Sequence, residues 1–75
     1  MNELRIQRTT DGTVKVGVRK YGSHSTFTII AALTPGIDLN NDAKITGMVK
    51  SIYKDWNVHR VIIEQTTRRI INPGE

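Results

Sequence analysis

Three runs of alternating residues at the front of the chain, Leu4 to Arg8, Val14 to Lys20 and Ser25 to Leu33, can share one sheet only if the turns between them have particular lengths. Side chains on a strand alternate between faces, so a slip of one residue sends a whole apolar set to the wrong side. A two-residue loop at Asp11-Gly12 sets Ile6 opposite Gly17 and Leu4 opposite Arg19, which scatters the valines. A three-residue loop, Thr10-Asp11-Gly12, sets Arg8 opposite Val14, Ile6 opposite Val16 and Leu4 opposite Val18. The apolar sets then coincide. This is the type I turn with a bulge, in which Gly12 takes the left-handed conformation that glycine adopts at little cost.

The second turn needs the opposite parity, because the valines are even-numbered while Phe27, Ile29, Ala31 and Leu33 are odd. Gly22-Ser23 as a two-residue type II′ loop pairs Tyr21 with His24, Val18 with Phe27, Val16 with Ile29 and Val14 with Ala31. The expected inner face is Leu4, Ile6, Val14, Val16, Val18, Phe27, Ile29, Ala31 and Leu33. The expected outer face carries Arg5, Gln7, Thr9, Lys15, Arg19, Tyr21, His24, Thr26, Thr28 and Ile30.

Thr34-Pro35-Gly36 ends the third strand, since proline cannot extend a central ladder and Pro-Gly favours a turn. Ile45, Met48, Val49, Ile52, Tyr53 and Trp56 then recur at helical spacing and form one stripe. Asn40 or Asn41 caps that helix, Asp42 suits its first turn, and Asn57 is a left-handed stop. Beyond it, Val58, Val61, Ile62, Ile63, Thr66, Thr67, Ile70 and Ile71 are β-branched, which favours strand. Val61-Ile62-Ile63 is apolar on both faces, as in an interior strand. Residues 66–71 extend that strand, begin a fifth or fray, and Asn72-Pro73-Gly74 closes the pattern.

The expected fold is therefore a small α+β domain of β-β-β-α-β order: an antiparallel three-stranded meander, one amphipathic helix packed on one face, and a further C-terminal strand. The expected bounds are strands over about 4–9, 13–21 and 24–33, a helix over 42–56 and a strand over 58–65. At 75 residues there is room for a single domain, and such a chain buries only about 60% of its unfolded surface.

Without cysteine there is no disulfide staple and no thiolate metal site, which fits a cytoplasmic setting. The longest unbroken apolar run, Ile29 to Leu33, is far short of the ~20 residues of a membrane helix, and Met1 to Arg5 lacks the apolar stretch of a signal peptide. Neither a membrane nor a cofactor is expected. The net charge of +4 sits mostly on the meander, where Arg5, Arg8, Lys15, Arg19 and Lys20 outweigh Glu3 and Asp11. A basic bias of this kind points to polyanionic partners.

Catalysis is not expected. His24 and His59 have no carboxylate or nucleophile at a telling spacing, and a hydrolytic triad needs three groups held together. A calcium loop counted from Asp38 requires glycine sixth and glutamate twelfth, where Ala43 and Val49 stand; helix capping explains the same residues. The β-β-β-α-β order, with Ile62-Ile63-Glu64-Gln65 late in the chain, resembles the front of a ribonuclease-H-like nuclease. That family needs a first-strand carboxylate facing the one at the end of the fourth. Leu4, Arg5, Ile6, Gln7 and Arg8 supply none, and Glu64 is expected to pair with Arg60 or a lysine.

The remaining constellation is the basic outer face. Arg5, Lys15 and Arg19 suit phosphates, Gln7 suits base edges, and Tyr21 can stack on a base. A three-stranded sheet backed by one helix also resembles the arm-binding domains of phage-type integrases, which implies DNA binding through the sheet. The expected function is non-enzymatic nucleic-acid binding. The alternative is a protein-interaction module, inhibitor or assembly subunit acting through exposed apolar strands, motivated by Ile30, Ala32 and Val61 to Ile63. A homodimer is expected under either reading.

Overall fold

The computed structural model describes residues 1–73, so Gly74 of the predicted closing turn lies outside the described residues. The elements in chain order are β1 (Asn2–Arg8), β2 (Val14–Lys20), β3 (Thr28–Leu33), α1 (Asp42–Ser51), β4 (Val58–Glu64) and β5 (Arg68–Ile71), with a short 3-10 turn at Lys54–Trp56 before β4. The strands form one mixed sheet in the order β3-β2-β1-β4-β5. β1 runs parallel to β4, and the other neighbours are antiparallel. The α+β class and the single packed helix agree with the sequence pattern, but the sheet extends beyond a meander. Its two C-terminal strands join on the far side of β1.

The first hairpin follows parity. Arg8 lies opposite Val14, Ile6 opposite Val16 and Leu4 opposite Val18, with Gly12 at φ +89°. Asp11 fastens the loop by accepting from the hydroxyls of Thr9 and Thr13 and from the Thr13 amide. Those bonds favour the ionised carboxylate and lower its pKa from 3.8 to about 2.

The second connection departs from expectation. The Ser23 amide donates to the Lys20 carbonyl, so the turn starts at Lys20 and places Gly22, at φ +81°, third rather than second. That geometry splays the strands instead of folding them into a tight hairpin. The chain rejoins the sheet only at Thr28. Val14 then faces Leu33, Val16 faces Ala31, Gly17 faces Ile29 and Val18 faces Thr28, with Ile30 the extra residue of a bulge. Phe27 and Ile29 therefore belong to the outer face, contrary to the parity assignment, and Ile30 packs against the core.

α1 lies across the other face. Asn41 caps it by accepting from the Lys44 amide at 3.1 Å. Ile45 and Val49 are buried with Leu4, Ile6, Val14, Val16, Leu39, Tyr53, Val61 and Ile63. The helix stops at Ser51 instead of 56, so the predicted stripe breaks: Tyr53 is buried, while Ile52 and Trp56 are exposed. Asn57 is left-handed, at φ 51°, as its place predicts. β4 is an interior strand with Val61, Ile62 and Ile63 all buried, and residues 68–71 form a separate strand.

Gly17 is required by contact, since an added Cβ there would stand 2.9 Å from the Phe27 Cβ. Gly17→Ala should lower the unfolding free energy by about 1–3 kcal/mol, measured by urea denaturation, because the obstructing atom is fixed to the backbone. Asp11 gives a pH prediction. Its folded pKa lies below the unfolded value, so its contribution is present above pH 3.8 and is lost as pH falls toward about 2. The stability difference between the wild type and Asp11→Asn, followed by thermal melts, should shrink across that window.

Candidate nucleic-acid interface

The face of the sheet turned away from α1 is open, and the strand register sets its side chains in rows. The central row runs Ile29, Gly17, Arg5, Ile62, Ile70 from β3 to β5. One row toward the β1 C-terminus lie Ala32, Lys15, Gln7, Glu64 and Arg68. On the other side, Glu3 stands between Arg19 of β2 and Arg60 of β4. Arg5, Gln7, Lys15, Arg19 and Tyr21 are thus brought to one face, as the alternation of the first hairpin requires.

Their surroundings are more structured than a solvated charge field. Glu3 is 2% exposed and takes Arg19 Nε on one carboxylate oxygen at 2.5 Å, with Arg60 at 3.8 Å from the other. Arg60 also donates to the Tyr21 hydroxyl at 2.8 Å and lies over the Tyr21 ring. His59 meets that ring edge-on, 4.5 Å between centroids. Phe27, folded over Gly17, carries two guanidinium groups on its ring, Arg19 at 4.2 Å and Arg5 at 4.6 Å. Arg19 donates once more, to the Ser25 carbonyl.

These contacts hold Arg19 and Arg60 through ion pairs and hydrogen bonds, and set Arg5 over the Phe27 ring. The side chains of Arg5 and Lys15 make no hydrogen bond or ion pair among the described residues, so their donors stay available. Tyr21 is part-exposed but has one ring face occupied by Arg60, which narrows its stacking role. Glu3, Phe27, Arg60 and Arg68 were missed from sequence: the first lies outside the predicted strand, the second follows the register error, and the last two depend on strand order.

The nuclease resemblance meets its own test in the register. β1 does run parallel to β4, but Gln7 is the residue opposite Glu64, and Glu64 pairs with Arg68 at 3.9 Å rather than with Arg60 or a lysine. No group of three or more His, Asp or Glu converges as a metal site among the described residues. A hollow of about 260 Å³ beside Lys50, Tyr53 and Lys54 lies at the C-terminal end of the helix, where carbonyl dipoles disfavour anions. No helix among the described residues is long and apolar enough to cross a membrane. The chain matches no family model, no curated protein and no solved structure.

Glu3→Ala should cost about 2 kcal/mol of stability in chemical denaturation. It leaves two guanidinium groups without their shared carboxylate, and their partial exposure moderates the loss. Arg60→Ala should cost less, because Arg19 remains on Glu3.

Proposed function

We propose that the chain binds nucleic acid through the open face of its sheet, without a catalytic step. The reading is supported chiefly by Arg5, Lys15, Arg19, Arg60 and Arg68 standing on one uncovered face against only Glu3 and Glu64. Three of these arginines are already oriented by Glu3, Phe27 and Tyr21. An oriented guanidinium loses less entropy on meeting a phosphate than a free one. Arg5 and Lys15 serve as the primary phosphate contacts, with Arg19 and Arg60 as fixed charges beside them. Gln7, between Lys15 and Glu64 in the register, serves to read a base edge in this proposal.

Fluorescence anisotropy with labelled DNA and RNA oligonucleotides tests this. Affinity should fall steeply between 50 and 200 mM salt, by about tenfold or more for a few neutralised phosphates. Lys15→Ala and Arg5→Ala should each reduce the salt slope by about one. Glu3→Gln is the discriminating variant. Removing a negative charge from a face that attracts polyanions by charge alone would strengthen binding, whereas loss of the arginine clamp should weaken it. Absence of binding at about 50 mM salt would refute the proposal.

A further inference from the structure

The two edges of the sheet are built differently. β5 is a four-residue strand that presents Arg68 and Arg69. β3 has six residues, Thr-Ile-Ile-Ala-Ala-Leu, with no charge and no proline. It pairs with β2 on one side only, and no other hydrogen bond reaches residues 28–33 among the described residues. Edges kept unpaired are blunted by a short strand, lysine, proline, an inward charge or a bulge. β5 is short and carries two arginines, whereas β3 has only its bulge at Ile30.

We infer that β3 is the docking edge for a second copy of this chain, the two β3 strands pairing antiparallel about a two-fold axis between Ile30 and Ala31. The bulge makes this register possible. In a regular strand a two-fold axis between neighbouring residues would oppose side chains from different faces. Here Ile30 and Ala31 both turn toward the core, so Thr28, Ile30, Ala31 and Leu33 share the inner side while Ile29 and Ala32 share the outer. Opposite partners across the axis are then Thr28 with Leu33, Ile29 with Ala32, and Ile30 with Ala31. Each lies on the same face as its partner, and each isoleucine meets an alanine. Registers shifted by one residue either way, centred on Ile30 or on Ala31, oppose inner to outer side chains.

Charge selects the same surface. A net charge of +4, carried mostly on the meander, opposes self-association through its charged face. Pairing through β3 sets no charged side chain opposite another, and it covers Ile29, which is 52% exposed. An isologous contact of this kind closes at two subunits. It would make one ten-stranded sheet whose basic faces lie on the same side.

Sedimentation equilibrium of the nuclease-treated full chain tests the assignment. The wild type should behave as a concentration-dependent dimer. Ile29→Lys with Ala32→Lys sets like charges opposite each other twice across the axis and should weaken dimerisation at least about tenfold. Ile29→Lys with Ala32→Glu sets opposite charges there in this register and should restore the dimer relative to the double lysine variant. Both positions are exposed in the single chain, and circular dichroism should stay unchanged. A monomeric wild type, a double lysine variant as dimeric as the wild type, or lysine and glutamate variants of equal affinity would overturn it. Nucleic-acid binding is measured separately, and neither result decides the other.

Discussion

A charge carried into the middle of a sheet must be matched on the spot, and Glu3 imposes that constraint here. β1 is bonded on both sides, to β2 and to β4, so a carboxylate at its second residue, Glu3, is almost wholly removed from water. An unpaired ion there would cost several kcal/mol, and the two neighbouring strands each supply a guanidinium instead. Arg19 comes from the antiparallel partner and Arg60 from the parallel one. The clamp therefore joins three strands with a specificity that apolar packing lacks. It also brings Arg60 onto Tyr21, whose ring His59 meets edge-on, and leaves Arg19 free to lie on Phe27.

The open face is thus organised from below rather than decorated with loose cations. Gly17 makes room for Phe27, Phe27 carries Arg5 and Arg19, and Glu3 fixes Arg19 and Arg60. The opposite face is conventional by comparison, an aliphatic layer closed by α1. Arg69 ties the two ends of that layer together, reaching from β5 to Asp42 and to the Leu39 carbonyl beside the helix start.

What could be read from the sequence divides along physical lines. The first hairpin was legible because parity and one glycine leave a single solution. The second was not, because Gly22 satisfies a turn either as its second or its third residue, and no local pattern separates the two. The start of the helix announces itself through Asn41 and Asp42. Its end does not, because Ile52 and Trp56 continue the apolar spacing after the backbone has left the helix. Arg5, Gln7, Lys15, Arg19 and Tyr21 follow from local alternation. Glu3 and Arg60 share an environment only through the pairing of β1 with β4, and no local pattern encodes that partnership.

That pairing also shapes how the chain reaches its structure. Asn2 meets Val58 across the parallel ladder, with the hairpin, edge strand and helix all lying between them in the chain. Closing so long a loop costs entropy before any contact repays it, while the β1–β2 hairpin needs only a three-residue turn. The hairpin is thus the local pairing of β1 and the parallel ladder its long-range one. Until β4 arrives, β1 is itself a bare edge and Glu3 lacks Arg60. Without β4 the meander has two open edges, β1 and β3, each able to pair with another strand.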